Sequence, residues 1–269
     1  MLPNLPLEFT ERLFKYLSEK DKLRWAQVNK QLGCVFAYHA KGIYKSLIVG
    51  EEINSNEGYT DNELRVILTF CGSTVENISM QRVKVMDQLG ELIEKNCINL
   101  RHAVLKITDE NVDALKRVVN MRGIEKLSLD VLHYRGSDLL QHVNPYCKDL
   151  KLENISMGQE QHIKKLIHLE KLDVQSKEAR NMFEICSHLP RLREFTTNRF
   201  EYPSDVKQDY LYPELESLTL INFEMPLDLP VCPKLKKFTL LLTVCNAENI
   251  ADIISKYGDT LEHLDIACE

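Results

Sequence analysis

The chain has 269 residues, 44% of them apolar and 28% charged, enough to bury one large core or two smaller ones and too apolar for a wholly disordered chain. Lys and Arg number 34 against 40 Asp and Glu, a formal net charge of −6, and the part after position 50 carries 26 basic against 36 acidic side chains. No nucleic-acid partner is expected from that balance, because phosphate neutralisation needs the opposite sign.

The first 50 residues invert it, with 8 basic against 4 acidic side chains, which suits an acidic partner and an ordinary solvated face equally. Pro3 and Pro6 interrupt the start, and no apolar run succeeds a basic segment, so no signal peptide is expected. No run approaches the ~20 apolar residues of a membrane helix. The eight cysteines include no CxxC pair and read as reduced core residues of a cytoplasmic or nuclear protein, which leaves the sequons at Asn77 and Asn154 unused.

The first predicted helix lies in LPLEFTERLFKYL, with Pro6 in its first turn and Glu8 and Glu11 near its positive end. Phe9, Leu13 and Leu17 form a stripe at i, i+4 and i+8. Ser18 opens SEKD, a capping pattern completed by Asp21, so a second helix comes next with Leu23 and Ala26. Asn29 caps a third, carrying Leu32, Val35, Phe36 and Ile43. Three short helices bury little surface and need something larger to dock on.

Leu5, Pro6, Glu8, Phe14, Leu17, Asp21, Leu23, Val28 and Lys30 stand in the order of the F-box motif, and the segment resembles that family. The pattern is an LPxE start, an aromatic and a leucine ending the first helix, an Asp-Leu step and a Val-x-Lys. Lys22 departs from it where a leucine usually comes after the Asp, and Leu32 where a tryptophan is common. The resemblance implies an F-box over residues 1–46 that binds a Skp adaptor through Leu5, Pro6, Glu8, Phe14, Leu17, Leu23, Val28 and Lys30. Through the adaptor it implies a cullin scaffold and a RING subunit that recruits a ubiquitin-loaded conjugating enzyme. The plainer reading has Pro6, Leu7 and Phe14 close the exposed apolar end of the segment that begins at residue 47; one face inward and another outward satisfies both. YKSLIV, Tyr44 to Val49, reads as an irregular first strand joining the two parts.

From Val75 onward a pattern recurs in which the first, fourth and sixth positions are apolar. It begins at Val75, Leu100, Ile124, Cys147, Leu169, Leu192, Leu215, Leu235 and Leu261, with steps of 25, 24, 23, 22, 23, 23, 20 and 26 residues. In a strand the fourth and sixth positions point to one side, so stacked copies share a core that a single copy cannot bury. Ala103 and Thr197 are the weak core positions, and the copy at Cys147 is preferred over a frame from Leu150 that would bury Glu153. The period and pattern are similar to leucine-rich repeats, and Asn154 and Asn222 stand at that family's usual turn asparagine. The expected architecture is therefore α/β: a short all-α F-box, then, over 47–269, a curved solenoid of about nine repeats with a parallel sheet on its concave face.

Segments between the strands show helical spacing. VKVMDQLGELIEKN presents Val85, Leu89, Leu92 and Ile93, and DENVDALKRVVN presents Val112, Leu115 and Val119 after a cap at Thr108 or Asp109. EARNMFEICSHL and NAENIADIISKYG behave alike, the latter closed by Gly258. Tyr202 to Pro213 reads as a loop, and Pro226, Pro230 and Pro233 disfavour a helix in MPLDLPVCP.

Chemistry is sparse: HExxH, GxGxxG, Walker, GxSxG and metal-spaced cysteine patterns are all missing, so no cofactor or metal is expected. Cys186 and His188 read as a core thiol and a surface imidazole, and His162 and His168 lie too far apart in angle to share a metal. Binding is expected instead on the outward positions of the strands. In the middle repeats these hold His102, Lys106, Lys126, Lys151 and Lys171 among Asp130, Asp149, Glu153 and Asp173, read as solvated ion pairs. Toward the C-terminus Thr196, Thr219, Ile221, Thr239, Leu241 and Ala267 form a column with few charges, the candidate contact for a protein substrate. Two functions fit: a non-catalytic substrate receptor of a ubiquitin ligase, or a repeat scaffold or inhibitor that binds a partner without ubiquitin transfer.

Overall fold

The computed structural model describes residues 6–50, 59–81, 88–198, 210–223, 229–242 and 247–268. Among these residues it is a mixed α/β structure in which ten strands form one parallel sheet in chain order. Leu5, Val85, residues 202–209 and Pro226 lie outside the described residues. Compact packing separates two units, Met1–Lys106 with Glu110–Ile124, and Ile107–Asp109 with Glu125–Glu269. The sequence boundary after residue 46 lies within the first unit.

The first unit holds helices α1 (Leu7–Tyr16), α2 (Glu19–Ala26) and α3 (Lys30–His39), then strand β1 (Ser46–Val49), as the sequence predicts. Ser18 Oγ accepts from the Asp21 amide at 3.1 Å and Asn29 Oδ1 from the Leu32 amide at 2.9 Å, so both predicted caps form. Two details differ. Pro6 is the N-cap of α1 rather than a residue of its first turn. Ile43 is exposed, because α3 stops at His39 and Gly42, at a φ of 87°, turns the chain away before Ile43.

An unanticipated helix, α4 (Asp61–Cys71), comes after β1, opened by a complete capping box. The Thr60 amide donates to Glu63 Oε2 at 2.8 Å, and the Glu63 amide to Thr60 Oγ1 at 3.3 Å. The unit continues with β2 (Asn77–Met80), α5 (Leu89–Asn96), β3 (His102–Ile107) and α6 (Val112–Val119). Asn111, not Thr108 or Asp109, precedes α6, and its amide side chain donates to the Lys106 carbonyl at 2.9 Å instead of capping.

In the second unit β4 (Lys126–Val131), β5 (Asp149–Glu153), β6 (Lys171–Gln175), β7 (Glu194–Asn198), β8 (Ser217–Phe223), β9 (Lys237–Leu242) and β10 (His263–Cys268) succeed one another. The connectors hold α7 (Met182–Ser187) and α8 (Ala247–Tyr257), with 3-10 turns at Leu139–His142 and Gln159–Lys165 where the helical pattern predicts full helices. Gly258 donates to the Ile254 carbonyl at 2.8 Å at the end of α8.

Every strand from β2 to β10 begins at the third position of a sequence repeat. Before β2 and before each strand from β4 to β9, the preceding carbonyl accepts two amides from the next copy: Lys148 O takes those of Glu170 and Lys171, Glu170 O those of Arg193 and Glu194, and Glu216 O those of Lys236 and Lys237. This recurring bond fixes the register of neighbouring copies. The first, fourth and sixth positions are buried in the first eight copies, Ala103 and Thr197 included. Glu153 is half-exposed, which settles the frame at Cys147. In the last copy Leu261 and Ile266 are half-buried and Leu264 is 37% exposed.

Asn154 adopts the left-handed conformation at φ 57° that the turn requires. Asn222 instead lies within β8, at a register shift between Ile221 and Phe223.

Candidate functional site

Two surfaces carry the predicted site residues, one in each unit. In the first, α1 has two apolar faces. Phe14 is fully buried, edge-on to Trp25 at 6.2 Å between ring centroids and stacked on His39 at 5.8 Å, and Leu23 is buried in α2. These two side chains hold the helices together. Phe9, Leu13 and Tyr16 lie on the other face; Phe9 is 60% and Tyr16 89% exposed. Pro6, Glu8, Val28 and Lys30 are exposed and Leu17 is half-buried.

Tyr44 and Tyr59 both donate hydroxyls to Glu19 Oε1, at 2.8 and 3.2 Å, tying α2 to the chain on either side of β1. Burial, then the hydrogen bond to Glu19, raises the Tyr44 phenol; burial, then the Glu19 charge, pushes Tyr59 up to about 12. The sequence reading missed the face of α4 that carries Arg65 and Phe70. The signal was present as TDNE, a Thr and a Glu three apart ahead of an apolar run.

In the second unit the register arranges the predicted wall into rows. Thr196, Thr219 and Thr239 are aligned across β7, β8 and β9, with Asp173 before them on β6 and Asp265 after them on β10. The next row aligns Asn198, Ile221, Leu241 and Ala267. The three threonines, Ile221 and Leu241 are half-buried and Ala267 is exposed. The core positions behind them, Leu218, Leu220, Phe238 and Leu240, are fully buried.

The charged rows pair across strands and along them: Lys126 with Asp149 at 3.5 Å, Lys151 with Glu153 at 2.7 Å, Lys171 with Glu194 at 2.6 Å. Asp173 accepts from Gln175 and has its carboxyl pKa raised, chiefly by burial. These partly exposed pairs contribute little each.

Cys186 is fully buried, which pushes its thiol well up, and His188 Nδ1 lies 2.9 Å from the Glu184 carbonyl. His162 Nε2 sits 3.2 Å from Gln141 Nε2, and His168 stacks on Tyr146 at 5.2 Å. Among the described residues no group of three or more His, Cys, Asp or Glu could hold a metal ion. Cys34, Cys71, Cys97, Cys147, Cys186 and Cys232 are free thiols, and no described helix is long and apolar enough to cross a membrane. No protein-family model matches the chain, and no curated protein matches it.

Proposed function

We propose that the chain is the substrate-recognition subunit of a Skp-cullin-F-box ubiquitin ligase in the cytoplasm or nucleus. The N-terminal helices are an F-box that docks on a Skp adaptor, and the strands and connectors are a leucine-rich-repeat solenoid. Its concave sheet face holds a target protein for ubiquitination and proteasomal degradation. Catalysis belongs to the recruited conjugating enzyme, and the chain itself needs no cofactor.

The observation that carries this reading is the outward face of α1. If α1 to α3 served only to cover the repeats, Phe9, Leu13 and Tyr16 would have no reason to be apolar, yet they stand exposed in one stripe, and Val28, between α2 and α3, is exposed as well. Burial of each large side chain in a partner contributes about 1.5–3 kcal/mol, enough together for a stable docking surface. The scaffold reading draws on Phe14 and Leu23, which pack inward as a cover would.

Co-purification with a Skp adaptor separates the two. The unmodified chain is expected to co-elute with the adaptor, and Phe9→Glu, at an exposed position, to abolish co-elution without lowering the melting temperature by more than a few degrees. Leu17→Glu weakens the complex as well, with some loss of stability because Leu17 is half-buried. An unmodified chain that never co-elutes removes the ligase reading and leaves the scaffold.

A further inference from the structure

Helix α4 divides its side chains between two faces at helical spacing. Leu64, Ile67, Leu68 and Cys71 enter the core, while Arg65, Val66, Thr69 and Phe70 face an open groove of about 460 Å³. The turn between α2 and α3 forms the opposite wall, with Ala26 at its base and Lys30 at its rim. Six of the nine lining residues are exposed, so the groove is a trough rather than an enclosed cavity. Its volume falls within the ~300–1,000 Å³ of ligand clefts.

The polar groups of the trough are unequally committed. Asn29 Oδ1 caps the Leu32 amide, and Gln27 Nε2 donates to the Leu23 carbonyl at 3.2 Å. Among the described residues the side chains of Lys30 and Arg65, on opposite walls, engage no hydrogen bond or ion pair, and no Asp or Glu lines the groove. Beneath them the floor is apolar: Ala26 and Val66 are buried and Phe70 is half-buried. The Phe70 ring lies directly on Gly33 of α3, where an added methyl group would stand 2.1 Å from its Cζ. Two uncompensated cations above an apolar floor fit an occupant with carboxylates at its edge and an apolar side chain beneath. Two cations are too few to hold a nucleic-acid backbone, and a small anion would leave the floor uncovered.

We infer that this groove binds an acidic peptide segment of a partner protein, its carboxylates against Lys30 and Arg65 and an apolar side chain on Val66 and Phe70. The inference does not require that the chain be a ligase subunit, and its test does not use the Skp adaptor.

The full chain is panned against a random-peptide phage library at about 50 mM salt, and the strongest selected sequence is synthesised with a fluorescent label. Its affinity is then measured by anisotropy for the unmodified chain, for Lys30→Glu/Arg65→Glu and for Gly33→Ala. Selected peptides are expected to place Asp or Glu within two positions of Leu, Ile or Phe. The double charge reversal lowers affinity at least about tenfold, and raising salt to about 300 mM weakens the unmodified chain severalfold. Gly33→Ala drives the Phe70 ring off α3 into the trough and weakens binding too. Because Lys30 and Arg65 are exposed, the double variant keeps the melting temperature of the parent. Failure to select any peptide, selection of basic or purely apolar peptides, or an affinity that the double reversal leaves unchanged overturns the inference.

Discussion

Gly90 of α5 packs against the main chain of Ala114 in α6 so closely that a methyl group at position 90 would stand 1.7 Å from the Ala114 carbonyl oxygen. The contact is with backbone, which cannot rotate aside as a flexible side chain can. Gly90→Ala gains about 1 kcal/mol of helix propensity but forces the helices apart over the buried Leu89, Ile93 and Leu115. Overpacking of this kind costs about 1–3 kcal/mol and outweighs the gain when the clash is severe. The urea midpoint is expected to fall, with far-UV dichroism unchanged; a variant as stable as its parent would contradict the α5–α6 contact.

Thr197 holds a core position of its repeat, aligned with Val174 on β6 and Leu220 on β8, and is 1% exposed. Its hydroxyl is buried and has no hydrogen-bond partner. An unsatisfied buried hydroxyl costs about 1–3 kcal/mol, and valine has nearly the same shape with a methyl in its place. Thr197→Val is therefore expected to raise stability by about 1–2 kcal/mol, read as an increased urea midpoint at unchanged slope. A loss of stability would place a polar partner at that hydroxyl.

The features the sequence revealed and those it hid share one cause. Ile78 and Met80, or Leu218 and Leu220, recur in a pattern that only a strand sharing its core with a neighbour satisfies, so strand starts were legible to the residue. Ser18 and Asn29 were legible because a cap is a local bond. The stripe of Phe9 and Leu13 was visible, but periodicity marks a face without saying whether core or solvent meets it, and here Phe14 took the inward face. Helix α4 escaped because it lies between β1 and the first copy of the repeat, where no register pointed to it. The short connectors became 3-10 turns at Leu139–His142 and Gln159–Lys165 because tertiary packing of such segments overrides helical spacing. The rows of the wall were legible as a set of positions; their alignment, Thr196 to Thr219 to Thr239, came only with the register.

Alkaline pH should unfold this protein early. Burial pushes the thiols of Cys71, Cys97, Cys147 and Cys232 up to about 12, Cys186 goes well above its ordinary value, and the Tyr59 phenol also reaches about 12. Unfolded thiols ionise near ~8.5 and phenols near ~10. Between those values and about 12 the folded chain keeps protons that the unfolded chain releases, so stability present in full below ~8.5 is lost as pH rises. Each buried thiol removes up to about 1.4 kcal/mol per pH unit in that window. Urea midpoints measured in a thiol-free reductant from about pH 7.5 to 10.5 are expected to fall steeply above about 8.5. Replacing Cys147 by Ala should flatten the curve; a flat profile in the unmodified chain would mean that the thiols are not buried.

Ile221 and Leu241 face each other across β8 and β9 in the row that ends at Ala267, outside the buried Leu220 and Leu240. Substitution by Asp leaves that core in place and removes one cross-strand apolar pair, about 0.2–1 kcal/mol, plus the repulsion of two adjacent carboxylates. The fold is therefore expected to survive Ile221→Asp/Leu241→Asp with a melting temperature lowered by only a few degrees. If the row is the substrate contact, proximity labelling in cells under proteasome inhibition should lose a defined set of partners with this variant. Phe9→Glu should keep that set and lose the adaptor instead. The crossed pattern is informative because the two substitutions lie on different units: loss of both sets together would signal unfolding. Retention of every partner by the Ile221/Leu241 variant would move substrate binding away from this row.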